Sequence, residues 1–150
     1  DFKRFRSLRD DTHYLNIFIY RIRLSGHMEI REIVTEDEQK RYEELARKHF
    51  KNFDRIQKIY PEFVLGAFNP ELTGYARNVV MQDSIEIANA GVTQERQGIY
   101  TELVKASIEK AKGYDVSRVI GKVPHPRMLE RLGFEPVKHT PFGYLMQYQL

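Results

Sequence analysis

The chain has 150 residues, no cysteine and a formal net charge of +3. That length suits one domain around one core. The lack of cysteine excludes disulfide and thiolate chemistry and fits a reducing, cytoplasmic setting; no apolar run approaches the roughly 18 residues of a membrane span, so no membrane contact is expected.

The charge is unevenly placed. Residues 1–27 hold six basic side chains (Lys3, Arg4, Arg6, Arg9, Arg21, Arg23) against three acidic ones (Asp1, Asp10, Asp11), and the remaining charges balance. A basic leader on a neutral domain is a weak nucleic-acid footprint, and no nucleic-acid partner is expected. The histidines lack ligand spacing, so no metal site is expected.

Residues 1–27 read as an N-terminal extension. Phe2, Phe5 and Leu8 fall at helical spacing among arginines, and Tyr14 to Leu24 reads as a strand with Leu15, Ile17 and Ile19 on one face. An extra edge strand with a solvated basic arm is favoured over an amphipathic membrane or RNA contact. Ser25-Gly26-His27-Met28 reads as a junction, with the domain proper spanning 28–150. Glu29 to Val34 is a short strand. Thr35 caps the next helix, and Glu38 completes a capping box. The apolar stripe continues through Tyr42, Leu45, Ala46, His49, Phe50 and Phe53. Ile56, Ile59 and Tyr60 suggest a second helix or a bend before Pro61.

Phe63 to Phe68 and Thr73 to Gln82 form a hairpin around Asn69-Pro70-Glu71-Leu72, which puts Gly74 and Tyr75 near the middle of the sheet. Ile85 to Val92 is the central strand. The polar turn Thr93 to Gly98 leads into a helix with Ile99, Leu103, Ala106 and Lys110 on one stripe and Val104, Ile108 and Ala111 beside it, ended by Gly113. A strand that enters a helix through such a turn aims unpaired N–H groups and the positive end of the helix dipole at one spot. Arg96 would add a fixed charge. Units of this kind also occur with nothing bound, and the residues alone leave both readings open. Val116 to Val123 is a further strand, and a short helix from Pro126 ends at Gly133. Glu135 to His139 and Tyr144 to Gln149 close the chain around Pro141-Phe142-Gly143. The pattern gives an α/β fold, one mixed central sheet flanked by helices.

Two segments resemble the Gcn5-related N-acetyltransferase (GNAT) family: Gln97-Gly98-Ile99-Tyr100 with its helix, and His125-Pro126 followed by Glu130-Arg131-Leu132-Gly133-Phe134. The resemblance runs from about Met28 to Leu150. It departs from the family pattern in three places. Tyr100 stands where Gly or Ala is usual, Arg96 lies one residue closer to Gly98, and Leu129 takes the place of a Tyr that protonates the leaving thiolate. The resemblance implies acetyl-CoA as cosubstrate and an amine of a small molecule or protein as acceptor, and it leaves a homodimer open. It puts the carbonyl-polarising backbone N–H and the pantetheine at Gly91, Val92 and Thr93, and the pyrophosphate at Gln94, Arg96, Gln97, Gly98, Ile99 and Tyr100. His125 takes the place of an Asn beside the cofactor, or is a helix N-cap.

For the chemistry, Glu86 is the candidate base for the ammonium proton, against an exposed strand carboxylate as the plain reading. Asn89 is the other polar residue of that strand placed to line a cleft, and Tyr144 and Tyr75 are candidate acids. Two rival functions stay open. One is a non-catalytic CoA- or partner-binding module on the same fold; the other is acyl or aminoacyl transfer from another donor.

Overall fold

In the computed structural model, which describes residues 2–10, 15–23, 27–94 and 97–150, β-branched and aromatic runs pair into one nine-stranded sheet. The strands are β1 (Phe2–Asp10), β2 (Leu15–Arg23), β3 (His27–Glu32), β4 (Glu62–Phe68), β5 (Leu72–Val80), β6 (Ser84–Val92), β7 (Arg118–Val123), β8 (Glu135–Thr140) and β9 (Gly143–Gln149). Their order across the sheet is β1-β2-β3-β4-β5-β6-β7-β9-β8. Among the described residues only β6 and β7 run parallel, and the link between them carries the long helix α2 (Gln97–Ala111). The other helices are α1 (Glu36–His49) and the short α3 (Arg127–Arg131).

The two faces of the sheet bury different things. On one face α2 packs Leu103, Val104, Ala106, Ile108 and Ala111 against Ile30, Leu65, Ala76, Ile85 and Ile87. Leu129 and Phe134 close that core beside β7 and β9. Asn78, fully buried under α2, donates to Ser107 Oγ at 3.1 Å. On the other face α1 packs Tyr42, Leu45 and Ala46 against Phe68, Leu72 and Tyr75. Arg77 on this face is 7% exposed and pairs with Glu62 at 2.9 Å, because a buried guanidinium needs a partner. The capping box holds: Glu38 N–H donates to Thr35 Oγ1 at 3.1 Å, and Glu38 Oε1 accepts from Thr35 N–H at 3.3 Å.

Two features of β6 open one edge of the sheet and aim its side chains. First, it pairs with β7 only from Ser84 to Ile87, so its later residues have no neighbour on that edge. Second, its register with β5 shifts between Arg77 and Asn78. Arg77 faces Asn89 and Asn78 faces Ile87, which leaves Ala88 unpaired in a bulge.

Several expectations need correcting. The helical spacing of Phe2, Phe5 and Leu8 does not make a helix, for Phe2–Asp10 is a strand paired along its length with β2; periodicity over three positions is too short to outweigh sheet pairing. The faces of Leu15, Ile17 and Ile19, and Ser25-Gly26 of the junction, lie outside the described residues. Of the helix or bend expected before Pro61, the bend is what forms, at Tyr60 after a single 3-10 turn at Phe53–Arg55. Pro126 is the N-cap of α3, which leaves His125 outside the helix and without a capping role.

Candidate functional site

The site begins where β6 and β7 part. Thr93 N–H donates to Thr73 O at 2.8 Å, towards β5. Amides two apart on a strand point the same way, so Gly91, opposite Tyr75, is also directed to β5. The N–H groups of Ala90 and Val92 therefore face the edge that β7 leaves open. Thr93, one of the three residues expected to polarise a carbonyl, has its N–H already taken.

A cavity of about 630 Å³ occupies the gap. Ala90, Gly91 and Val92 form its floor, and Tyr100 and Thr101 from the first turns of α2 form one wall. His125, the α3 residues Arg127, Met128 and Arg131, and Leu132 at the end of α3 form the other, and His49 closes one end. The first turn of α2 carries no acidic side chain, so its unpaired N–H groups keep their attraction for an anion. Arg127 and Arg131, one turn apart on α3, bring two cations to the same space. Burial pushes the Tyr100 phenol up from its ordinary value, so it stays neutral and able to donate.

Of the residues singled out from sequence, Gly91, Val92, Tyr100 and His125 come together in this cavity. Gly98 is half-buried at the start of α2, and Gln94 is exposed in the preceding turn. Ile99, 6% exposed, turns into the core. Thr93 lines a separate hollow along α1 with Lys40, Arg41, Glu44 and Lys48. Arg96 and the Gln97 side chain lie outside the described residues.

Glu86, Asn89 and Tyr144 do not line the cavity. Glu86 sits where β6 is still paired on both sides, opposite Val79 and Ile120. Asn89 faces Arg77, and its Oδ1 is buried with no hydrogen-bond partner among the described residues. Tyr144 stacks on His139 with ring centroids 4.3 Å apart. Tyr75 is fully buried under Gly91, and burial raises its phenol to about 12. Leu129, expected at the position of an acid, is 2% exposed and points into the core, so its side chain is packing and not chemistry.

His49, Thr101, Arg127, Met128, Arg131 and Leu132 escaped the sequence reading. His49 was hidden inside an apolar stripe. The spacing of Arg127 and Arg131 was a signal only once α3 was known to flank the gap.

No protein-family model and no curated protein matches the sequence. Solved structures do match. The GNAT domain of S. lividans PAT superposes with a TM-score of 0.67 at 14% identity, over 88% of this chain and 97% of that one. The Paia N-acetyltransferase of Thermoplasma acidophilum, in complex with coenzyme A, gives 0.64 at 14% identity, over 82% and 99%. The chain has the GNAT fold. The ribosomal-protein-S18-alanine N-acetyltransferase of Escherichia coli has it too, with a TM-score of 0.60 at 18% identity, over 81% of this chain and 93% of that one. In the GNAT fold of this chain the open edge of β6, the start of α2 and the α3 wall meet at one cavity. Among the described residues no group of side chains could hold a metal ion, and no helix is long and apolar enough to cross a membrane.

Proposed function

We propose that the chain is a GNAT-type N-acyltransferase that moves an acetyl group from acetyl-CoA to an amine. The observation that carries the reading is the parting of β6 and β7 over a cavity that also takes in the start of α2. The residues present fit CoA. About 630 Å³ is within the usual range of ligand cavities. The apolar side chains of Ala90, Val92, Met128 and Leu132 suit a pantetheine arm. The N–H groups at Gly98 and its neighbours suit a pyrophosphate, with Gln94 and Tyr100 beside them. Arg127, Arg131 and His125 suit the remaining phosphate and the base.

Acyl transfer from a thioester needs a polarised carbonyl and a neutral amine held against it. The N–H groups of Ala90 and Val92 are the donors free to polarise that carbonyl, and they supply the charge stabilisation that such fixed donors give. Residues 28–150 would form the acyltransferase domain. Residues 1–27 would be an extension of its sheet.

A non-catalytic CoA-binding module is the competing reading, favoured by the core position of Leu129 and the place of Tyr144 outside the cavity. Calorimetry with CoA and acetyl-CoA, then release of free thiol in the presence of amines, tests both. Binding with turnover supports the transferase. Binding without turnover supports the module, and no binding of either compound removes both readings.

A further inference from the structure

His49 is the last residue of α1, on the face of the sheet opposite α2, and yet it reaches the cavity. It does so because Gly91 has no side chain. A β-carbon on Gly91 would stand 2.7 Å from both Cγ and Cδ2 of the His49 ring. The imidazole therefore lies directly on the backbone of the residue between the two free donors, Ala90 and Val92. It is exposed on its outer side, and among the described residues its nitrogens take part in no hydrogen bond or ion pair.

We infer that His49 is the general base of the proposed acyl transfer, receiving the proton of the incoming ammonium at the α1 end of the cavity. The inference rests on the acyltransferase reading. The ammonium gives one proton to an imidazole nitrogen and becomes a neutral amine. Its lone pair forms the N–C bond at the thioester carbonyl, which Ala90 and Val92 N–H polarise. The C–S bond then breaks with its electron pair going to sulfur. The second N–H proton passes to that thiolate to give free thiol, and the imidazolium returns its proton to water on its exposed side. Imidazole suits the role because it is the side chain most often used as a general base. The groups facing it are Tyr75 beneath Gly91, and Tyr100, His125, Arg127 and Arg131 across the cavity.

The test uses the full chain, acetyl-CoA and two probe amines: spermidine, and a peptide with one free N-terminal amine and one lysine. His49→Ala should lower kcat/KM by about a hundredfold, the usual worth of one general base, and flatten the acidic limb of the pH profile. Its CoA affinity should remain within about threefold, well under 1.4 kcal/mol. Added imidazole should restore at least part of the His49→Ala rate, and His49→Gln, which keeps the bulk, should not recover it. A wild-type profile in His49→Ala, or a loss that imidazole does not rescue while CoA still binds, overturns the inference and leaves the transferase reading standing. If wild-type protein binds no CoA, or transfers to neither probe, the reading beneath it has failed first.

Discussion

The two ends of β6 are one strand under two sets of constraints. From Ser84 to Ile87 it is hydrogen-bonded on both edges, and Ile85 and Ile87 are buried under α2. From Asn89 to Val92 it keeps β5 and loses β7, and its surroundings become a cavity, a helix start and an imidazole. A fully paired strand has no backbone groups left to offer a ligand. A strand with one bare edge offers them all in a row, held rigid by the other edge. Substitutions at the first end should therefore change stability, and those around the second should change binding.

The largest expected effect is at the paired end. Ile85→Ala removes a fully buried side chain and should cost about 3 kcal/mol in urea unfolding, as large-to-small core changes do. CoA affinity of the folded fraction should hold. A parallel loss of affinity would show that the two ends are not separable. At the open end, Gly98→Val should weaken CoA binding by about tenfold, or about 1.4 kcal/mol, by crowding the N–H groups at the start of α2. Unchanged calorimetric affinity with the fold intact would move the phosphate site elsewhere.

Much of the fold was legible because its signals are local. Thr35 and Glu38 announce α1, Gly113 comes just after the end of α2, and the apolar run of Phe63 to Phe68 gives β4. What was not legible depends on pairs far apart in the chain. His49 reads as one more member of a helical stripe until Gly91 is seen beneath it. Glu86 looks like a base on the central strand until β7 is seen beside it. The run of Phe2, Phe5 and Leu8 misled because three residues fit a helical count and a strand alike, and only pairing decides.

A smaller effect isolates the remote end of α1. The Glu38 carboxyl accepts from Arg31 Nη2 at 2.6 Å and from Val34 N–H at 3.0 Å. Chiefly through Arg31, it is held at about 2, well below its ordinary 4.5. A lowered acid stabilises the fold fully above its unfolded value, and that contribution fades as pH falls through the folded one. Glu38→Gln should therefore lose about 1 kcal/mol near neutrality, the usual scale of a cap. Its melting curve should converge with wild type as pH drops from 4.5 towards 2. CoA binding should be untouched at neutral pH. The smallest change is expected from a chain beginning at Met28. It should bind CoA within about threefold of the full chain, under 1.4 kcal/mol. Aggregation or loss of cooperative unfolding would make β2 an integral strand and move the domain boundary.

The bulge at Ala88 constrains how β6 can be edited. Up to Ile87 the odd-numbered residues turn towards α2, whereas beyond Ala88 it is the even-numbered Ala90 and Val92 that do. The strand thus changes phase once, and that change is what turns Gly91 rather than Ala90 towards His49. Drawing Ala88 into the ladder opposite Arg77 would restore strict alternation, keep Ile85 and Ile87 where they are, and put Ala90 opposite Tyr75, with its methyl group against the imidazole. One unpaired residue, with no chemistry of its own, sets the polarity of everything after it.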